Sequence, residues 1–259
     1  MGQADGNPVF TIDFVDHQLR IHSLDGGAES FPLQGQSVAS FHDNIMAALD
    51  RLGIKASIAI PRPFDLPDAD RRFAADTEHA GYDPAWASRY WQVLSHVELL
   101  LEEFAVRFSG KVSPVSPVHH FWHTFDIAHT RFSDRHIDQP PTADSVTREA
   151  YSREVISFGF WFGDDRFAEP AFYAYTAPEL PGLASEPLQP GIAWWDPRDG
   201  SHLAVLRYDD ARAGDDPRAT VLDFYESAYQ AGARLVGWDI ERLACPDGIT
   251  DPRLRPQKG

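Results

Sequence analysis

Between Pro84 and Gly110 the large apolar residues fall on one line. Tyr90, Leu94, Val97, Leu101, Phe104 and Phe108 are spaced four, three, four, three and four. Only an α-helix brings residues at that spacing to one face. Asp83 is placed to cap this helix. Pro84 is placed to begin it, because the first helical position does not need the N–H that proline lacks. Gly110 is the predicted C′ residue, which gives about 25 residues, or about 37 Å at 1.5 Å per residue. Such a stripe must be buried against a second apolar layer, and the rest of the chain has to supply it.

The remaining sequence reads mainly as strands. Val9 to Val15 and Gln18 to Ser23 form a predicted hairpin about Asp16 and His17, with Glu29 to Leu33 as a third strand. Ser37 caps a second helix whose apolar residues run from Val38 to Leu52, and Gly53 stops it. Ile54 to Ile60 alternates as a strand, and residues 61–83 read as irregular. A long strand is expected from about His119 to Phe132. Further strands are expected at Glu154 to Phe162, Ala171 to Thr176, Ile192 to Trp195 and Leu203 to Leu206. Asp216 and Pro217 open a third long helix, and Trp238 to Leu243 reads as a short helical turn. This order predicts an α+β fold, a mostly antiparallel sheet packed by three main helices on one side. The chain is read as a single domain over residues 1–259. An alternative is two duplicated halves, residues 1–60 and 84–235, because Val38 and Phe41 fall opposite Val221 and Phe224.

Charge narrows the partners. The 39 acidic residues outweigh the 23 basic ones, so the net charge is -16. A surface of that sign repels phosphate backbones and anionic lipid, so neither nucleic acid nor membrane is expected as a partner. No apolar run approaches the roughly 20 residues of a spanning helix. Cys245 is the single cysteine, so no intrachain disulfide can form, and a cytoplasmic setting is expected. Lysine occurs only at positions 55, 111 and 258, which makes Lys111 stand out beside so many arginines.

The segment PVHHFWHTFDIAHTRF, Pro117 to Phe132, holds most of the candidate chemistry. His119, His120 and His123 invite a metal hypothesis. The glutamate of an HExxH helix is absent, however, and on a strand His119 and His123 would stand about 13 Å apart at 3.3 Å per residue. No metal site is assigned and no cofactor is named. Asp126, between Phe125 and Ile127, needs a partner if buried, either a salt bridge or a hydrogen bond from a neighbouring strand. In a pocket its carboxylate is suited to acid–base work. Arg131 lies five residues on and points to the opposite face of a regular strand. Glu154 begins an apolar strand, and Tyr173 and Tyr175 share one face of another. A carboxylate with aromatics lines many small-molecule pockets, and core packing is the competing reading. His79 sits in an irregular loop, where functional residues concentrate. Lys111 follows the predicted helix end and would complement its dipole, or bind an anion or form a Schiff base. No GxSxG, Walker A, GxGxxG or paired CxxC is present.

Several stretches carry a family resemblance: GKVSPVSPVHHFWHTFDIAHTRFS, REAYSREVISFGFW, PAFYAYTAPE, DFVDH at residues 13–17, DTEHAGYDP at 76–84 and the late GWD. In these the chain resembles a bacterial family, the domain of unknown function five-nine-nine-six, over nearly its whole length. The resemblance implies no activity, since the family has none assigned. Two departures stand out. Typical relatives begin earlier, with a helix, a GK pair and a Trp- and His-rich strand; either the start is misassigned here or that segment is missing, which would leave a sheet edge and an apolar helix face uncovered. Relatives also often carry His where this chain has Arg153, before Glu154, so a site that uses that His is not expected here.

The first functional expectation is a small-molecule pocket lined by His79, Lys111, His119, Trp122, Asp126, Arg131, Glu154 and Tyr173. The second is an interaction module that assembles through a sheet edge, for example as a homodimer. The third is a metal-dependent hydrolase.

Overall fold

The computed structural model describes residues 2–4, 7–63, 68–110, 116–121, 124–251 and 253–254. Contacts divide the chain into two compact units, Met1–Val93 and Leu94–Gly259.

The first unit contains β1 (Gly2–Ala4), β2 (Val9–Asp13), β3 (Gln18–His22), β4 (Ala28–Pro32), α1 (Val38–Arg51) and β5 (Ala56–Ile58). Strands β2, β3 and β4 form an antiparallel meander, and β1 pairs with β5. Leu19 and Ile21 of β3 cluster with Leu33, Ile54 and with Ala48 and Leu49 of α1. Ser37 caps α1 as its sequence suggests, accepting from the Ser40 N–H. Residues 76–79, DTEH, cap the same helix end. Val38 N–H donates to the His79 carbonyl at 2.9 Å and Ala39 N–H to the Asp76 carbonyl at 2.8 Å. Two of the orphan donors of a helix start are satisfied this way.

Helix α2 (Pro84–Ala105) contains the boundary between the units. Asp83 caps it, accepting from the N–H groups of Ala85 and Trp86. It has 22 residues rather than about 25, and Gly110 is not its C′ residue. The chain leaves the helix early because Phe108 forms a β-bridge with Ala244 and Ser109 N–H donates to the Leu243 carbonyl. Tertiary pairing there replaces the last helical turn.

The second unit continues with β6 (His119–His120), β7 (Ile127–His136), α3 (Ser145–Ala150), β8 (Arg153–Trp161), β9 (Ala171–Ala177), β10 (Trp194–Arg198), β11 (Ser201–Arg207), α4 (Tyr208–Ala213), α5 (Pro217–Val236) and α6 (Ile240–Leu243). Its six strands form one antiparallel sheet in the order β10-β11-β9-β8-β7-β6. One face is apolar and covered. Phe158 meets Phe104 of α2 at 4.7 Å between ring centroids, and Phe158 and Phe172 both meet Tyr225 of α5. The approach of α5 is closest at Gly232, where an added Cβ would stand 2.2 Å from Thr176 Oγ1.

The α+β expectation stands, with corrections of detail. Among the described residues the antiparallel strands make three sheets, of two, three and six strands. The long strand from His119 to Phe132 is instead a hairpin, two residues of β6 followed by a turn and β7. In the first unit β4, which leads into α1, is a sheet edge, whereas β11, which leads into α4 and α5, lies between β9 and β10. Among the described residues no helix is long and apolar enough to cross a membrane.

Candidate functional site

The β6–β7 turn sets up the site. Phe121 N–H donates to the Asp126 carbonyl at 2.8 Å and Phe125 N–H to the Phe121 carbonyl at 2.9 Å. Phe125 takes a left-handed conformation, φ 56°. For a bulky residue this costs about 1–3 kcal/mol, and the surrounding bonds have to hold it. The turn delivers Asp126 to the sheet face opposite α5.

There Asp126 meets Tyr173, two strands away on β9. The Tyr173 hydroxyl donates to Asp126 Oδ2 and the Thr124 hydroxyl to Oδ1. The reach is explained by Gly159, the residue of β8 that pairs with both Ala128 and Tyr173. A Cβ built on Gly159 would fall 2.5 Å from Tyr173 Cζ and Oη and 2.6 Å from the Ile127 carbonyl oxygen. Only glycine lets the phenol lie across β8 to the carboxylate. Register places Trp194, Val205, Tyr173, Gly159, Ala128 and His119 in one cross-strand row, with side chains on one face.

Further hydroxyls extend the face. Tyr175 stacks nearly parallel to Tyr173, with ring centroids 6.4 Å apart, and its Oη is 3.2 Å from that of Tyr151. Thr130 Oγ1 and Ser157 Oγ are 2.9 Å apart. Burial, then the Asp126 charge and its hydrogen bond, hold the Tyr173 phenol well above its ordinary pKa. Burial and Tyr151 do the same for Tyr175. Both phenols stay protonated, and that of Tyr173 donates. His120, beside the same carboxylate, is lowered by burial despite the pull of Asp126.

The other predicted residues lie elsewhere. Arg131, 1 % exposed, is on the α5 side of the sheet. Its guanidinium carbon is 3.9 Å from the Phe104 ring centroid and 4.3 Å from that of Tyr229, and its Nη2 donates to the Phe104 carbonyl at 2.9 Å. Burial lowers its pKa to about 10, so it remains charged at neutral pH. Glu154 is buried and accepts from the Trp238 indole N–H and from Arg135, each at 2.9 Å. It ties β8 to the segment after α5. His79 belongs to the first unit, where its Nδ1 is 2.8 Å from Asp76 Oδ2. Burial would raise Asp76, but the His79 backbone N–H and ring and the Glu78 N–H outweigh it and lower its pKa. Lys111, Trp122 and His123 lie outside the described residues. The structure therefore brings together Asp126 and Tyr173, with His119 in the same row, and sets Arg131 and Glu154 apart from them.

Among the described residues no group of three or more His, Cys, Asp or Glu side chains is placed to hold a metal ion. A surface crevice of about 350 Å³ opens between the end of β7 and α3, lined by His136, Asp138, Arg148 and Glu149 among others. Its arginine is already engaged, donating to the Pro140 carbonyl at 3.0 Å. The sequence reading missed Thr124, Tyr151 and Gly159 as parts of the site. One signal was present: an isolated glycine inside the apolar strand EVISFGFWF marks a close approach.

No curated protein and no solved structure matches the chain. The family of unknown function DUF5996 matches over residues 1–245, nearly the whole of the 259-residue chain. The chain belongs to that family.

Proposed function

We propose that the protein binds a small molecule on the tyrosine face of its six-stranded sheet, around Asp126. The observation that carries this reading is the grip of Tyr173 on Asp126 across Gly159. A buried carboxylate is costly, and a strained turn, a reserved glycine and two hydroxyl donors are all spent on keeping it in place. The stacked tyrosines and the Tyr151, Thr130 and Ser157 hydroxyls beside it supply apolar surface and hydrogen bonds of the kind ligand sites use. The net charge supports a partner other than nucleic acid, and a lone, buried Cys245 supports a cytoplasmic setting. The edges of the six-stranded sheet favour this over edge assembly. Strand β6 has two residues, and β10 carries Pro197, which cannot donate to a further strand.

The test is a native mass spectrum of the full chain purified without chelator. The expected mass exceeds the apo monomer by a small organic molecule, and Gly159→Ala, which displaces the Tyr173 phenol, loses it. An apo mass, with no amide shift at Tyr173 or Tyr175 across a fragment library, overturns the reading.

A further inference from the structure

We infer that the ligand of the Asp126 site is a small organic cation, an ammonium ion held by the carboxylate against the tyrosine rings. This rests on the binding reading above and adds the charge of the ligand. Asp126 is 9 % exposed. Its side-chain donors are two neutral hydroxyls, Thr124 and Tyr173. Among the described residues no lysine, arginine or histidine nitrogen lies within 4.0 Å of it. A buried carboxylate without a cation retains an uncompensated desolvation cost. It accepts about four hydrogen bonds, so lone pairs remain for a further donor.

Among the described residues the neighbouring side chains do not supply the charge. His120 is neutral at pH 7, because burial lowers its pKa even beside Asp126. Arg131 lies across the sheet and five residues along the chain, about 16 Å at 3.3 Å per residue. Through an effective dielectric of about 20 its attraction at that distance is too weak to offset burial. The walls suit a cation as well. The faces of Tyr173 and Tyr175 are the negative side of the ring quadrupole and attract ammonium groups. The net charge of -16 concentrates cations around the protein and repels anions.

Isothermal titration of the full chain with two matched pairs tests the inference. Choline is compared with its neutral carbon analogue 3,3-dimethylbutan-1-ol, and butylamine with butan-1-ol. One cation at least is expected to bind tenfold or more tighter than its neutral partner, and Asp126→Asn to reduce that preference below twofold with the circular dichroism unchanged. Where Asp126→Asn fails to fold, wild-type amide shifts locate the cation, which must move Asp126, Ile127 and Tyr173. Equal binding of charged and neutral partners overturns the cation assignment and leaves small-molecule binding standing. Heat from potassium chloride alone also overturns it, in favour of an inorganic ion. Silence from all four probes overturns it too, and the native mass spectrum then decides separately whether any small molecule is bound.

Discussion

Acidification from pH 7 to pH 4 is expected to remove about 3 kcal/mol of folding stability through His129 alone. His129 is 2 % exposed on the α5 side of β7. Its Nδ1 is 3.1 Å from the Ser116 carbonyl oxygen, and its Nε2 is buried with no hydrogen-bond partner. Burial first, and then the Arg131 charge, lower its pKa from 6.5 to about 4, against the raising effect of the Ser116 carbonyl. The sign follows from which state binds the proton first. In the unfolded chain His129 protonates as the pH falls through 6.5, while in the fold it stays neutral until about 4. Stability is therefore intact above 6.5, falls between 6.5 and 4, and loses nothing further through this group below 4. At 1.36 kcal/mol per pH unit that window is worth about 3 kcal/mol. Urea unfolding of the wild type and of His129→Gln at half-unit steps from pH 7.5 to 4 measures it. Glutamine keeps a donor for the Ser116 carbonyl and does not titrate. Carboxylates titrate in both proteins and cancel in the difference. The wild type is expected to lose about 3 kcal/mol more than the variant over the window. Parallel loss in the two proteins would refute the reasoning, as would an NMR titration of the His129 ring with a midpoint near 6.5.

Three further outcomes follow from the packing. Gly159→Ala puts a methyl group into the Tyr173 phenol and the Ile127 carbonyl, and about 1–3 kcal/mol of destabilisation by urea is expected, with the Tyr173–Asp126 contact broken. Unchanged stability would show that the phenol does not lie across β8. Gly232→Ala places its methyl against Thr176 and is expected to cost a similar amount, about 1–3 kcal/mol, by separating α5 from the sheet. Glu154→Ala strips the buried Trp238 indole N–H of its acceptor. A loss of about 1–3 kcal/mol and a red-shifted tryptophan emission are expected, and an unshifted spectrum would count against a buried Glu154–Trp238 pair.

Much of the fold was legible because periodicity and caps are local. Asp83, Ser37 and Asp216 cap the three long helices where the sequence placed caps, and the strands of the second unit lie within a few residues of their apolar runs. What was illegible is non-local. The end of α2 depends on a bridge from Phe108 to Ala244, and no propensity near Phe108 encodes it. The turn after His120 depends on a phenylalanine with positive φ, a conformation its side chain disfavours and that the Phe125–Phe121 and Phe121–Asp126 backbone bonds help to hold. His79 looked functional because it occupies a polar loop. The structure shows that its backbone carbonyl caps α1 and that its ring bonds the Asp76 hub. In the candidate site the strand of Asp126 and that of Tyr173 were both readable. Their pairing, 47 residues apart in sequence, was not, and Gly159 was the one local trace of it.

Asp126 and Arg131, on β7 and the turn before it, differ in ways that favour the first as the proposed site. Both are nearly inaccessible, and neither has an opposite charge within 4.0 Å among the described residues. Their surroundings compensate them differently. Arg131 lies within 6 Å of the ring centroids of Phe104, Phe108, Phe158 and Tyr229, and it donates to a carbonyl in the last turn of α2. A guanidinium gains from each ring face, up to about 2 kcal/mol when desolvated, and from the negative end of the helix dipole. Its charge is met in part by these rings, while its Nε stays buried with no hydrogen-bond partner. Asp126 has no such enclosure. Ring faces repel a carboxylate, and two hydroxyl bonds at the usual 1.5–3 kcal/mol for a charged acceptor do not remove the cost of an unpaired buried charge. What sets Asp126 apart is its place on the hydroxyl-lined face opposite α5, where a partner brought from outside would be held, whereas Arg131 is closed in by the rings of the core.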